Sequence, residues 1–287
     1  MKPRLLITGA SGYLGRRLAR RAATTGFEVI AAYGRQWAKV TAGRPLALDV
    51  TDAQAVRRAV ASHRPQVIVH CAAANPGRPE AEMMAVNAEG SRHVAEAATA
   101  AGARLIHLST DVVFDGRHPP YDEDAPLSPV NPYGRSKAAA ETAVLETAPG
   151  ATVVRTSLIY DLDEVDRSNA GFIDRLRSGQ PLVLWTDVIR QPVWAATLVS
   201  ALLELAGGHP PPSGILNIAG GQALNRWEFG RRMLAYWGAE GAENLQAGLA
   251  AAEPFPVPLD LRLDLGRAQS LLATPLLGVD EVLGQKG

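Results

Sequence analysis

A short apolar run, Arg4–Thr8, leads into Gly9-Ala10-Ser11-Gly12-Tyr13-Leu14-Gly15, and a helical pattern continues through Leu18 to about Ala23. Strand, glycine turn and helix in that order constrain the fold more than any other stretch. The turn lets backbone amides close on a pyrophosphate, and the helix N-terminus adds partial positive charge. The spacing is Gly-x-x-Gly-x-x-Gly rather than Gly-x-Gly-x-x-Gly. The bland alternative is a strand–helix turn with no ligand; the flanking strand and helix favour a dinucleotide. Contacts are expected from Gly9, Ser11, Gly12, Tyr13, Leu14 and Gly15.

The alternation then repeats. Strands are expected at Glu28–Tyr33, Pro45–Leu48, Val67–His70, Arg104–Leu108 and Ala151–Arg155, with helical patterns between them, the longest over Glu80–Ala101. Six β–α alternations predict an α/β chain: a Rossmann-type doubly wound parallel sheet with helices on both faces. From Thr156 onward the alternation loosens. Helices are expected near Phe172–Ser178, Ala195–Leu205 and Trp227–Trp237, and short strands near Leu182–Trp185 and Ile215–Ile218. This reads as a smaller C-terminal α+β substrate lobe, so 1–157 forms the NAD(P)-binding domain, completed by parts of 190–218, and 158–287 the interleaved lobe.

Ligands of an open parallel sheet collect at the carboxyl ends of its strands. The second strand ends Tyr33-Gly34-Arg35, where an NAD-binding chain often carries an acid. Arg35 instead suits a 2′-phosphate, favouring NADPH over NADH, unless it is simply a solvated loop residue. Asp49 and Val50 end the third strand; Asp49 either meets adenine or caps the helix starting near Asp52. Ala72, Ala73 and Ala74 let a flat cofactor lie close to the backbone. His70 and Cys71 read as packing rather than as a nucleophile pair, since a cysteine ending a buried strand is usually a small hydrophobe. Asn87, among Met84, Val86 and Ala88, needs hydrogen-bond partners; it is a candidate for supporting the site from behind or for a structural hydrogen bond, and is counted with the cofactor-binding residues.

Tyr133 and Lys137 lie four residues apart in Asn131-Pro132-Tyr133-Gly134-Arg135-Ser136-Lys137, at the head of an Ala-rich helical run. Helical spacing puts both on one face. A cation beside the phenol is expected to lower its pKa and suit it to acid–base work. The spacing alone occurs by chance. What raises it is Thr110, at the strand end Ser109-Thr110-Asp111, on the same sheet edge as the glycine turn.

Composition removes other classes. With 29 basic and 29 acidic residues the net charge is zero, which gives no general attraction for nucleic acid or an anionic membrane. A single cysteine excludes an intrachain disulfide framework and fits a reducing cytoplasm. No signal peptide or bilayer-spanning stretch is expected. The six histidines form no metal-ligand spacing, so no metal is expected. Tyr121-Asp122-Glu123-Asp124 reads as a polar loop on the active-site side.

The order of glycine turn, Ser-Thr-Asp strand end and Tyr-x-x-x-Lys resembles the extended short-chain dehydrogenase/reductases. The run Leu108-Ser109-Thr110-Asp111-Val112-Val113-Phe114-Asp115-Gly116, then Pro120-Tyr121-x-Glu123, Pro129-x-Asn131-Pro132-Tyr133-Gly134-x-Ser136-Lys137 and Val154-Arg155-Thr156-Ser157 narrows it. These look like the dTDP-4-dehydrorhamnose reductase family, with looser matches at Asn217-Ile218-Ala219-Gly220-Gly221, Arg226-x-Glu228-Phe229 and Arg262-Leu263-Asp264. The resemblance implies hydride transfer from NADPH to a keto sugar nucleotide. Thr110 would hydrogen-bond the carbonyl, Tyr133 would protonate the alkoxide, and Lys137 would hold the nicotinamide ribose and tune Tyr133. The implied partner is a small molecule, a nucleotide sugar, with room left for a homodimer.

Two departures fall in the substrate lobe. The family follows Arg-Thr-Ser with tryptophan, and Leu158 stands there. Its Asp-Gln-x-Gly-x-Pro-Thr segment becomes Asp187-Val188-Ile189-Arg190-Gln191-Pro192-Val193. Related dehydratases carry Thr-Asp-Glu at the strand end, where Val112 argues against dehydration. A sugar-nucleotide epimerase shares the Tyr/Lys pair. The regulatory subunit of methionine adenosyltransferase resembles the same family and acts by binding a partner.

Overall fold

The computed structural model describes residues 2–165, 167–208, 212–239 and 244–285. The first half alternates as the sequence predicts: β1 (Arg4–Thr8), α1 (Tyr13–Thr24), β2 (Glu28–Tyr33), β3 (Arg44–Ala47), α2 (Ala53–His63), β4 (Val67–His70), α3 (Glu80–Met83), α4 (Gly90–Ala101), β5 (Arg104–Leu108), α5 (Pro132–Thr147) and β6 (Thr152–Arg155). The pattern over 80–101 is not one regular helix. A π-helical turn, Met84–Glu89, joins α3 to α4 and places the fully buried Asn87 within it. Then come β7 (Ile159–Tyr160), α6 (Arg167–Arg177), β8 (Leu182–Trp185), β9 (Ile189–Arg190), β10 (Val193–Trp194), α7 (Ala195–Gly207), β11 (Gly214–Asn217), β12 (Leu224–Asn225), α8 (Arg226–Tyr236), β13 (Leu245–Gly248), α9 (Gly266–Leu271) and α10 (Val279–Gly284).

Seven strands form one parallel sheet in the order β11-β6-β5-β4-β1-β2-β3. Period-two alternation splits its side chains between two cores. Leu5, Ile7, Val67, Val69, Ile106 and Val154 pack on the α1/α7 side, while Leu6, Ile68, Leu105 and Val153 face α2, α4 and α5. The seventh strand, β11, pairs in parallel with β6, and α7 packs against α1, so both extend the sheet layer.

The remaining elements make smaller units above the carboxyl edge. β8 pairs with β13, β7 with β10, and β9 antiparallel with β12. Two minor cores hold them, one around Tyr160, Phe229, Met233 and Val282, the other around Ile173, Leu176, Leu184 and Leu234. Among the described residues no helix is long and apolar enough to cross a membrane, and no group of histidines, cysteines and carboxylates could hold a metal ion.

Candidate active site

The strand order reverses direction between β1 and β4, and the crevice at such a switch point is where an open sheet takes a ligand. A cleft of about 930 Å³ opens there. It is lined by Gly9, Ser11, Gly12, Tyr13, Leu14 and Gly15 from the turn, by Arg35, Asp49 and Val50, by Ala72, Ala73 and Ala74, and by Thr110, Tyr133 and Lys137. Asn87 is absent from that wall. Its carboxamide lies one layer behind, accepting from the Ala74 amide at 2.7 Å and donating to the Ala74 carbonyl at 3.0 Å and to Ser136 Oγ at 2.9 Å. Asn87 thus braces the cleft floor against α5.

The glycine turn has physical reasons for its composition. Gly9 has φ +67°, and a Cβ on Gly15 would stand 2.2 Å from the Gly9 carbonyl oxygen. Only glycine lets α1 begin this close to β1. The N-cap of α1 is Gly12, with no side-chain cap and no acid in the first turn. The first amides of α1 thus keep their capacity for an anion. Asp49 does not cap α2; that is done by Asp52, whose carboxylate accepts from the Gln54 and Ala55 amides at 2.9 Å. Asp49 accepts from Thr51 instead and stays on the cleft wall. Arg35 is largely exposed at the cleft mouth, 4.0 Å from Glu82.

Helix α5 is set by its first turn. The Asn131 side chain caps it, accepting from the Gly134 amide at 2.8 Å, and Pro132 occupies the first helical position. A Cβ on Gly134 would meet the Val112 carbonyl oxygen at 2.2 Å, so glycine brings α5 onto the turn after Thr110. Tyr133 is thereby placed at the junction of the cleft and a second cavity of about 670 Å³.

Lys137 lies on the same face but does not set the phenol's charge. Its Nζ donates to the Leu108 carbonyl at 2.5 Å, with His107 Nε2 at 3.4 Å. Burial brings the Lys137 ammonium down to about 8, against the opposing pull of Glu141 and Cys71. Tyr133 is pushed up, not down, to about 12: burial raises it, Asp111 adds to that, and Arg190 opposes. The expected lowering fails first because the phenol is buried, and then because the charge that adds to the shift is the Asp111 carboxylate. A phenol held this way is protonated at neutral pH, the form a proton donor requires.

Asp111 is fully buried. Its Oδ2 accepts from Ser157 Oγ at 2.6 Å and Arg190 Nε at 2.7 Å; its Oδ1 accepts from Arg190 Nη2 and, at 3.2 Å, from Thr110 Oγ1. Neither Arg190 nor Ser157 was singled out for the site from the sequence, because both reach Asp111 from distant segments. Behind this group, Glu141 and Arg155 form a buried ion pair at 2.9 Å, and Ser109 donates to Glu141.

The second cavity is lined by Thr110, Val112, Tyr133 and Ser157 and also by Leu158, Arg190, Arg226 and Phe229, with Arg78 on its wall as well. Tyr121-Asp122-Glu123-Asp124 borders neither cavity. Tyr121 is buried on Phe114 with ring centroids 4.1 Å apart, and Glu123 accepts from the Asn217 amide, so the segment braces β11 instead. His70 and Cys71 carry no nucleophile: burial holds His70 down at about 3 and pushes the Cys71 thiol up to about 12.

The family described as RmlD substrate binding domain matches residues 2–275. A dTDP-4-dehydrorhamnose reductase of Streptomyces griseus is 38% identical over 96% of this chain and 90% of its own length. Another, from Mycolicibacterium smegmatis, is 36% identical over 99% of this chain and 84% of its own. A solved Bacillus anthracis dTDP-4-dehydrorhamnose reductase in complex with NADP superposes with a TM-score of 0.83 at 26% identity, covering 99% of this chain and 98% of that one. These names are those of reductases, and they favour neither the epimerase nor the regulatory-subunit alternative. The chain belongs to the RmlD substrate-binding family, that of the dTDP-4-dehydrorhamnose reductases, and is an oxidoreductase.

Proposed function

We propose that the protein reduces a keto group on a nucleotide-linked sugar, as a dTDP-4-dehydrorhamnose reductase does, with NADPH as the preferred reductant and Tyr133 as proton donor. The observation that carries this is that Thr110 and Tyr133 line both cavities, with Lys137 on the wall of the larger one. One cavity is long and runs under an uncapped helix N-terminus, as a dinucleotide requires. The other carries Arg78 and Arg226 on its wall, cations that suit a diphosphate. Residues 1–157 with the strand and helix from 190–218 serve the cofactor, and the rest of 158–287 serves the sugar nucleotide.

The residues present fit the cofactor. The amides of the glycine turn and α1 would take its pyrophosphate, Asp49 and Val50 its adenosine, and the small residues Ala72–Ala74 its flat face. Lys137 would hold the nicotinamide ribose. Arg35, exposed on the cleft wall, would take a 2′-phosphate. When bound, the nicotinamide supplies the hydride that the carbonyl carbon gains. Thr110 holds the carbonyl oxygen in place, and the Tyr133 hydroxyl delivers the proton that turns that oxygen into an alcohol.

The test is NADPH oxidation across nucleotide-linked 4-keto sugars and simple carbonyls, with product stereochemistry determined. Turnover confined to simple carbonyls, or none at all, would overturn the substrate class. For the cofactor, Arg35→Ala should erase a preference for NADPH of about tenfold, the scale of one lost exposed phosphate contact. Equal NADPH and NADH affinities in the unaltered protein would remove Arg35 from the reading.

A further inference from the structure

We infer that Arg190 is a positioning residue of the reaction: by occupying the Asp111 carboxylate it leaves the Thr110 hydroxyl available to the substrate carbonyl, and it serves in this way rather than as a ligand of the substrate's phosphates. The inference rests on the reductase reading above. It starts from a departure in the chain itself, since Arg190 stands where the family segment Asp-Gln-x-Gly-x-Pro-Thr has glycine.

The arginine is fixed from its backbone upward. Residue 190 lies on β9, which pairs with β12 through Leu224 opposite Arg190 and Asn225 opposite Ile189. On its other side Ile189 donates to the Leu259 carbonyl at 2.6 Å and accepts from the Leu261 amide at 3.1 Å. From that rigid base the guanidinium reaches both oxygens of Asp111, a two-pronged pairing that lysine cannot reproduce. The side chain is only 12% exposed and the carboxylate 0%.

An inventory of donors at Asp111 shows the consequence. Ser157 and the two guanidinium nitrogens make the close contacts, and the 3.2 Å bond from Thr110 Oγ1 is the longest of the four. Thr110 has one proton. While Arg190 neutralises the carboxylate, that proton is loosely held and can turn to a carbonyl oxygen entering the cavity. Without Arg190, Asp111 becomes a buried charge lacking its cation, and its remaining donors are Ser157 and Thr110. The carboxylate then grips Thr110, and its field also disfavours the charge that Tyr133 develops as it gives up its proton.

The experiment compares Arg190→Gln, Arg190→Lys, Asp111→Asn and the double variant Asp111→Asn/Arg190→Gln in three measurements: steady-state kinetics, dTDP affinity by calorimetry, and thermal melts. Arg190→Gln should lower kcat about a hundredfold while KM and dTDP affinity stay within about threefold, because an unpaired buried charge is costly and the phosphates are held elsewhere. Arg190→Lys should fall between Arg190→Gln and the unaltered protein. The double variant should recover most of the lost kcat, since an amide at 111 has no charge to leave unpaired. A loss of dTDP affinity of about tenfold in Arg190→Gln with kcat preserved would overturn the inference and make Arg190 a phosphate ligand. So would a double variant no better than Arg190→Gln. If the unaltered protein reduces no nucleotide-linked keto sugar, the function reading fails by itself. The dTDP titration and the melts then decide the pair: additive melts for Asp111 and Arg190, or lost dTDP affinity, would sink it.

Discussion

The cofactor cleft and the substrate cavity share Thr110 and Tyr133 but are built by different rules. Much of the cleft wall comes from the turns that follow β1, β2, β3, β4 and β5, whose positions the sheet register dictates. The cavity takes one wall from this sheet edge and the other from short units, β7, β9 and α8, held by small cores. One region is specified by repetition, the other by individual long-range contacts. Within one chain, then, the chemistry can stay constant while the recipient of the hydride changes.

The largest expected effect lies at the shared boundary. Tyr133→Phe should cut kcat by about 10³-fold, the scale of a lost general acid, with NADP(H) affinity unchanged. If turnover survives, the phenol is not the donor and the two regions do not meet where we place their meeting. Next is Glu141→Ala, behind the cleft. It strands the buried Arg155 guanidinium and should cost about 3–5 kcal/mol in denaturant unfolding. A cost near that of an exposed pair would show that the sheet half tolerates the loss of single contacts.

A smaller effect is expected from acid. His70 is held at about 3 against an ordinary 6.5 by burial, with Lys137 adding to the shift. Between those values the unfolded chain binds a proton that the folded one refuses. Stability contributed by neutral His70 is therefore complete above about pH 6.5 and falls as pH drops toward 3. Melting temperatures followed from pH 7 downward should decline less steeply in His70→Gln; parallel curves would place the acid sensitivity elsewhere. The smallest effect belongs to the cavity. Leu158→Trp restores the family residue and should change KM for a given sugar nucleotide about threefold to tenfold with cofactor affinity unmoved. A change in cofactor affinity instead would erase the contrast between the regions.

Much of the cleft was legible because its signals are local. Glycines three apart between a strand and a helix, an arginine two residues after β2, alanines after β4 and Tyr133 one helical turn from Lys137 are all patterns within a few residues. Asn87 was recognised as a polar residue in need of partners, but which partners depended on a π-helical turn that no short-range pattern announces. The loop 121–124 looked like site material because it is acidic; packing on Phe114 and β11 turned it into a brace.

From the sequence alone came the order of strands and helices, the switch-point cleft and the three hydroxyl and ammonium groups at its end, because periodicity and turn chemistry act between near neighbours. The tertiary structure alone decided the electrostatics. Asp111 meets Arg190 across 79 positions of chain, and Lys137 finds the Leu108 carbonyl below it. Burial above all, with Asp111 adding to it, turns the shift of the Tyr133 phenol upward. Charge interactions depend on distance and burial, and both are properties of the packed molecule rather than of spacing along the chain.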